Sequence, residues 1–418
     1  MQAVRFIKQA ARPAAKVLRP VAVSRAFSSS AATFTRSPVL EFSEEEELFK
    51  ETVAKFAQEV VLPKSRAMDE AEQMDPEVVQ GLFDTGLMGI ETPEEYGGAG
   101  ASFTSAIIAV EELAKVDAST AVLNDVHSTL VNTLVRTYGS DAIKEKYLPK
   151  LATKCVGSFC LSESSSGSDA FALKTRAEDK GDHWLINGSK MWITNAGEAE
   201  VFLIFANVDP SKGYKGITCF IADKDMGVQI AKKEKKLGIR ASSTCVLSFD
   251  DLQIPKENVL GEVGTGYKIA INCLNEGRIG IASQMIGIAQ GAFDRATDYA
   301  FKDRKQFGKY IGEFQGMQFQ IAQAAIQIEA ARLMVYNTAR MKEAGQPFVT
   351  QAAMCKYYAS EVANQVAGKA VEWMGGVGFT REEPLEKFMR DAKIGQIYEG
   401  TSNIQLQTIA KDIMKSKS

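Results

Sequence analysis

The chain has 418 residues, 45% of them hydrophobic and 24% charged, with a formal net charge of −3. That length asks for two or three packed units rather than one, and the balance is ordinary for a globular protein. It excludes the strongly basic footprint of a nucleic-acid binder, and no run reaches the roughly 18 to 20 apolar residues of a helical membrane span. Two histidines, His127 and His183, are too few for a histidine-rich metal site. Cysteines 155, 160, 219, 245, 273 and 355 are scattered without a C-x-x-C pair, which fits reduced thiols and neither a disulfide framework nor bound zinc.

Residues 1–40 stand apart. They carry seven basic side chains (Arg5, Lys8, Arg12, Lys16, Arg19, Arg25, Arg36), no acid, and the serines Ser28 to Ser30. This is the composition of a mitochondrial transit peptide. Arg25-Ala26-Phe27-Ser28 resembles a matrix-processing site, so a mature N-terminus is expected between residues 25 and 40, in the mitochondrial matrix. Without those seven basic residues, the balance of 49 basic against 52 acidic side chains falls from −3 to −10.

Residues 41–155 read as a helical domain. Ser43 and Glu46 form a capping box ahead of apolar residues at helical spacing, Leu48, Val53, Phe56 and Val60. Pro63 is expected to stop that helix. The glycine-rich stretch PEEYGGAGAS (93–102) reads as a turn. More helix follows over 105–139, with His127 as a packed helix residue.

Residues 156–265 read as a β domain. In HWLINGSKMWITNA (183–196), two strand-like runs flank Asn187-Gly188, which predicts a hairpin. VFLIFANV, GITCFIA and TCVLSFDDLQI predict further strands. Residues 266–418 return to a helical period. Met317, Ile321, Ala324, Ile328, Ala331 and Val335 mark one helix face, a second helix ends at Gly375-Gly376, and a third starts near Ser402. No G-x-G-x-x-G follows a strand, so a Rossmann site is not indicated.

Five stretches could carry chemistry. CLSESSSGSD (160–169) could cradle an anion with amides and hydroxyls. MWITN (191–195) sets an indole two residues before a hydroxyl on a strand, a wall and a donor for a flat heteroaromatic ring. DRKQFGK (303–309) offers Arg304 to a phosphate, and EWMGGVGF (372–379) ends a helix on exposed amides. In IGQIYEGTSNIQL (394–406) one carboxylate, Glu399, stands among apolar neighbours, where desolvation raises a pKa toward that of a working base.

Together these motifs, in this order and spacing over residues 42–414, resemble the acyl-CoA dehydrogenase family. Within it, LNEGRIGIASQ (274–284), EAARLM, KYYASE and IYEGTSNIQL are most similar to members acting on short, 2-methyl-branched acyl chains such as 2-methylbutyryl-CoA. The resemblance implies an α+β fold of an N-terminal helical domain, a middle β-barrel and a C-terminal four-helix bundle. It implies FAD-dependent α,β-dehydrogenation of an acyl-CoA to the trans-2-enoyl-CoA by a homotetramer, with electrons passing to electron-transferring flavoprotein. Glu399 would be the base. FAD would meet Phe159, Cys160, Leu161, Ser162, Gly167, Ser168, Trp192, Ile193 and Thr194. Thr401, Ser402 and Asn403 would complete that site, and Arg304, Phe307, Gln315 and Glu372, Trp373, Met374, Gly375 and Gly376 would reach FAD across a subunit boundary. Ser168, Tyr214, Tyr267, Asn275, Glu276, Gly277 and Arg278 would meet the acyl-CoA.

A minority of relatives carry the base on an earlier helix, just before the arginine of a GR pair. Here that position is Gly277, and Glu276 points about 100° away on an ideal helix. Other readings are a straight short-chain dehydrogenase, an acyl-CoA oxidase, and a flavin-binding assembly protein without catalysis. The leader and the chain length argue against the oxidase, and Glu399 against the assembly protein.

Overall fold

The computed structural model describes residues 38–417. The expected leader lies outside the described residues except for the turn Pro38–Leu40, whose Leu40 is buried in the main core. Helix α1 (Glu44–Phe56) begins with the expected capping box: Ser43 Oγ accepts from Glu46 N at 3.2 Å, and Ser43 N donates to the Glu46 carboxylate at 2.9 Å. Pro63 does not stop this helix. A π-helical turn, Ala57–Val61, carries α1 into α2 (Leu62–Ala71), and Pro63 falls in the first turn of α2, where its fixed φ and missing N–H are tolerated.

Next come α3 (Pro76–Asp84), α4 (Phe103–Ala114), α5 (Ala118–Asp125), a π-helical stretch Val126–Asn132, α6 (Thr133–Tyr138) and α7 (Asp141–Thr153). Every residue of α4 and α5 is buried, so these helices are core elements with no wet face. The stretch 93–102 is a turn, as expected. A side chain at Gly98 would meet the Thr92 carbonyl at 2.0 Å.

Strands β1 (Val156–Cys160), β2 (Arg176–Asp179), β3 (His183–Thr194), β4 (Ala199–Asn207), β5 (Ile217–Asp223), β6 (Gln229–Lys233), β7 (Thr244–Pro255) and β8 (Val259–Leu260) form one mixed sheet. The order is β6-β7-β3-β2-β4-β5-β8, with β1 parallel to β4. It curls round its own core. Trp184, Phe202, Phe220, Leu247 and Ile254 pack inside, while Leu203, Phe205 and Ile221, the alternate residues of β4 and β5, face the helices. The predicted hairpin at Asn187-Gly188 is absent. β3 runs straight through it and bulges against β7. Gly188, at φ +146°, passes over Thr175, where a Cβ would come within 2.7 Å of its hydroxyl. Asn187 exchanges hydrogen bonds of 2.8 Å with Asp251.

The third part holds α8 (Gly266–Asp298), α9 (Gln315–Glu343), α10 (Val349–Met374), α11 (Leu385–Ala392) and α12 (Ser402–Lys415). α8, α9, α10 and α12 make the bundle, and α8 also packs on α4 and α5. The predicted apolar face of α9 is the buried one. Short α11 is the keystone. Lys387 pairs with Asp117 at 2.9 Å and Asp391 at 2.7 Å, and Asp391 accepts from Ile239 N at 2.5 Å. Arg390 reaches Asp69 at 2.8 Å and the Leu237 carbonyl at 3.1 Å. One helical turn thus ties the bundle to the first helical part and to the segment joining β6 to β7. His127 adds a second tie. Its Nε2 donates to the Met88 and Leu151 carbonyls at 3.0 Å each, and its Nδ1 accepts from Gly157 N at 2.9 Å. Burial pushes its pKa down to about 4, so it is neutral at neutral pH.

Candidate active site

Glu399 sits in the loop before α12 with φ +52°, followed by Gly400 at φ +86°. A side chain in the left-handed region is strained by roughly 1 to 3 kcal/mol unless its surroundings hold it there. Here they do. Lys356 Nζ, buried on α10, donates to the Gly395 carbonyl at 2.6 Å and the Gly400 carbonyl at 2.7 Å. Gln405 Nε2 donates to the Glu399 and Gly400 carbonyls at 3.0 and 2.9 Å, and Ser360 Oγ to the Gly395 carbonyl at 2.8 Å. Tyr398 donates its hydroxyl to Gln284 Oε1.

The glutamate side chain is the opposite of its backbone. Oε2 is buried and has no hydrogen-bond partner. Burial pushes the carboxyl up to about 7, and Lys356 and then Arg278 pull it back only part of the way. The oxygen lies over α8 at Gly277, where a Cβ would stand 3.1 Å from it and 2.9 Å from Leu130. The space a base on the earlier helix would need is therefore already filled. Glu276 turns away, as expected, and pairs with Lys342 at 3.3 Å.

A second acid lies beside this site. Asp125, at the end of α5, is buried against Gly280 and accepts from Thr129 Oγ1 at 3.0 Å. Burial first, and the charge of Glu399 second, raise its pKa well above the usual carboxylate range. Sequence reasoning missed both Asp125 and Lys356. Lys356 was findable, since it stands in register with Ala352, Ala359, Ser360 and Ala363, all on the buried face of α10. Asp125 carries no such signal, because a single acid in a helix is usually exposed.

A second candidate surface is built on β3. Lys190 Nζ donates to the Leu161 carbonyl at 3.0 Å and to Glu163 at 2.8 Å, and Met191 N donates to the Ser162 carbonyl at 2.9 Å. These bonds bring the CLSESSSGSD loop beside MWITN. Glu163 is consumed in holding the loop, as it also accepts from Lys174 N and Thr175 N. A bulge between Lys190 and Ile193 flips Trp192 to φ +64° and leaves it 55% exposed, so the indole is a free wall and not a packed strand residue. Ser162 and Thr194 are half-buried, Gly167 and Ser168 exposed. Phe159 packs on Phe205 with ring centroids 5.0 Å apart. The side chains of Cys160, Leu161 and Ile193 are buried, so they can offer a ligand only backbone.

Thr401 caps α12 by accepting from Ile404 N at 3.4 Å, Asn403 is exposed, and Ser402 Oγ is buried without a partner. Tyr214 and Tyr267 meet edge-on at 4.7 Å, and Tyr267 meets Phe171 of the Ser/Gly loop at 6.3 Å. Asn275 is buried and accepts from Arg278 at 3.0 Å.

The remaining predicted residues lie elsewhere on the chain. Arg304, Phe307 and Gln315 are exposed around the hairpin of β9 (Lys305–Gln306) and β10 (Lys309–Tyr310). Phe307, 93% exposed at φ +52°, meets Phe314 at 6.2 Å, a contact that reaches neither Trp192 nor Glu399. Glu372 is exposed and pairs with Lys369 at 2.6 Å. Trp373 and Met374 are core residues of the bundle, so their side chains are not free for a ligand. Gly375, at φ +63°, and Gly376 have open space beside their backbone.

Removing a carbon-bound proton needs a base shielded from water, and the electrons left behind need a flat acceptor. The shielded carboxylate oxygen of Glu399 and the exposed flat face of Trp192 are features that such a reaction would use. Family models described as the acyl-CoA dehydrogenase N-terminal, middle and C-terminal domains match residues 43–154, 158–252 and 264–414. The chain belongs to the acyl-CoA dehydrogenase family. It is 57% identical over 378 residues to the short/branched chain specific acyl-CoA dehydrogenase, mitochondrial, of Rattus norvegicus, covering 90% of this chain and 87% of that one. It is 58% identical over 381 residues to a probable short/branched chain specific acyl-CoA dehydrogenase of Dictyostelium discoideum, covering 91% and 92%. The butyryl-CoA dehydrogenase of Megasphaera elsdenii superposes with a TM-score of 0.87 at 39% identity, over 91% of this chain and all of the other. The family's cofactor is FAD. This chain fits it with the exposed indole, the half-buried hydroxyls of Ser162 and Thr194, the unpartnered Ser402 Oγ where α12 begins, and the open glycines 375–376.

Proposed function

We propose that Glu399 is the general base that takes the α-proton of a short, 2-methyl-branched acyl-CoA in the mitochondrial matrix. The observation that carries this reading is the buried, unpartnered Oε2 over Gly277, with a pKa raised to about 7. A carboxylate so placed is basic enough to work near neutral pH. FAD, when bound, supplies the acceptor for the β-hydride. The chain's residues do the rest. Gly277 leaves room for the Glu399 carboxylate over α8. Asp125, whose pKa burial and the Glu399 charge raise, stands beside the pocket. Ser162, Trp192, Thr194 and Thr401 to Asn403 bound the flavin, while Arg278 and the Tyr214–Tyr267–Phe171 cluster border the acyl-CoA path.

The branched-chain substrate is supported by relatives at 57% and 58% identity, and the compartment by the basic, acid-free residues 1–40. Electron-transferring flavoprotein is the electron partner we assign. We assign a homotetramer as well, in which Arg304, Phe307, Gln315 and residues 372–376 complete a neighbour's flavin site. Its support is apolar surface left open on α9, Phe319 at 59% and Ile326 at 69% exposed, beside a groove of about 580 Å³.

Glu399→Gln tests the base. FAD should stay bound, and anaerobic flavin reduction by 2-methylbutyryl-CoA in stopped flow should slow by ~10²–10⁴. Glu276→Gln should remain within about tenfold, ~1.4 kcal/mol on the barrier. If Glu276→Gln is the dead variant, the base is on α8. A higher kcat/KM for isovaleryl- or octanoyl-CoA than for 2-methylbutyryl-CoA would overturn the substrate and leave the family intact.

A further inference from the structure

Lys356 is a buried cation that no part of the reaction described above uses. Its amine is fully screened from solvent, and on its own such a group is expensive to bury. What it touches is the loop of the base. One donor goes to the Gly395 carbonyl at 2.6 Å and one to the Gly400 carbonyl at 2.7 Å, so a single side chain pins both ends of the segment that carries Glu399. One turn further along α10, Ser360 Oγ also holds Gly395 at 2.8 Å, and Asn364 Nδ2 holds the Ala392 carbonyl at 2.9 Å. The only part of this loop left without a partner among these contacts is the Glu399 carboxyl oxygen.

From this geometry we infer that Lys356 is a positioning residue for the dehydrogenation, one that pins both ends of the strained loop carrying Glu399. The inference rests on the assignment of Glu399 as base.

The charges around the pair are these. α10 contributes Lys356 itself and Glu361, which favours its charge. α8 contributes Arg278, which favours the charged carboxylate, along with Glu276 and Cys273. α5 contributes Asp125, and the loop itself Tyr398. Burial pulls Lys356 down to about 7 while the charge of Glu399 pushes it back up. Of the two cations acting on Glu399, Lys356 has the larger effect. Removing its charge should therefore make the carboxyl a weaker acid, and the base should emerge at higher pH.

Two variants separate the two-ended hold from a one-ended one. Lys356→Gln removes the cation that donates to both carbonyls. Ser360→Ala removes one hold on Gly395 and keeps the charge. With FAD-loaded protein, the pH profile of anaerobic flavin reduction is compared with the titration of the protonated carboxyl infrared band, identified by its loss in Glu399→Gln. The infrared reading needs no turnover. Lys356→Gln should shift both upward by about one pH unit, the low end of what an adjacent opposite charge does. Reduction at pH 7 should then fall several-fold and recover at high pH. Ser360→Ala should leave both midpoints in place. A Lys356→Gln protein that binds FAD and titrates like the parent overturns the inference. So does an equal shift in Ser360→Ala, which loses a hold on one end of the loop only. If Lys356→Gln does not fold, Lys356→Arg, which retains the charge, should keep the parent's midpoint, and a shifted midpoint there counts against the inference. If instead Glu399→Gln reduces its flavin at the parental rate, the base assignment has failed, an outcome distinct from these.

Discussion

Two of the buried clusters of charge among the described residues differ in how they are built. At the keystone, Asp117 receives Lys387 at 2.9 Å, Ser65 Oγ at 2.7 Å and Thr120 N at 2.7 Å. Burial alone would raise its pKa, but the adjacent cation and these donors outweigh it and leave the acid below its ordinary value. At the base, Glu399 has two cations in range and no hydrogen bond to Oε2, and burial wins. Both carboxyls are shielded, so burial does not distinguish them. The supply of donors does. Donors thus separate Asp117 from Glu399, although burial also raises Asp391, the other keystone acid, despite Lys387 and Ile239 N.

The sharpest way to break this comparison is to remove the keystone's cation. Lys387→Ala leaves Asp117 and Asp391 buried without their cation, and should lower the unfolding free energy by ~3–5 kcal/mol, read from urea unfolding of FAD-loaded protein. A loss under 1 kcal/mol would mean that the keystone is wet and the contrast false.

The next test runs the other way. The folded pKa of Glu399 lies above its ordinary value of 4.5, at about 7, so the folded chain holds this proton more tightly than the unfolded one. The resulting penalty is absent below pH 4.5, builds as the pH rises toward 7, and is full above it. Glu399→Gln should therefore be more stable than the parent at pH 8, by about 3 kcal/mol, with the gain shrinking toward pH 5. Equal melting curves at both pH values would show that the carboxyl is better solvated than its burial suggests.

A smaller effect is expected at Gly277. Gly277→Ala puts a methyl 3.1 Å from Oε2 and 2.9 Å from Leu130. Flavin reduction should slow by about tenfold, since displacing a base by a fraction of an ångström misaligns it. FAD content should not change. Lost FAD would mean that Gly277 supports the fold and not the pocket.

Much of this was legible in the sequence, for reasons that can be stated. Ser43 with Glu46 is a local device that caps its helix as read, and the last helix begins at Ser402, where it was expected. The stretch around Glu399 was legible because an acid among apolar residues is itself the anomaly. Asn187-Gly188 misled because a dipeptide that favours φ above zero serves a bulge as well as a turn, and β7, distant in sequence, where Phe249 pairs with Gly188, decides which. Pro63 misled because a π-helical turn before it lets the helix carry on. Trp192 could be noticed but not aimed, as nothing local says that the strand flips there. Lys356 and Asp125 were passed over because their roles come from Gly400 and Glu399, partners that only the fold brings near.

The tight fit over Gly277 also constrains how this site can change over generations. With Oε2 already 3.1 Å from where a Cβ would begin, a carboxylate cannot be added on α8 while Glu399 remains. With Glu399 as the proposed base, giving it up first would lose the proton acceptor. A lineage moving its base from loop to helix must alter both positions together or pass through a crippled ancestor. The absent side chain at residue 277 thus acts as a ratchet, keeping the reagent on the loop long after either address would have served.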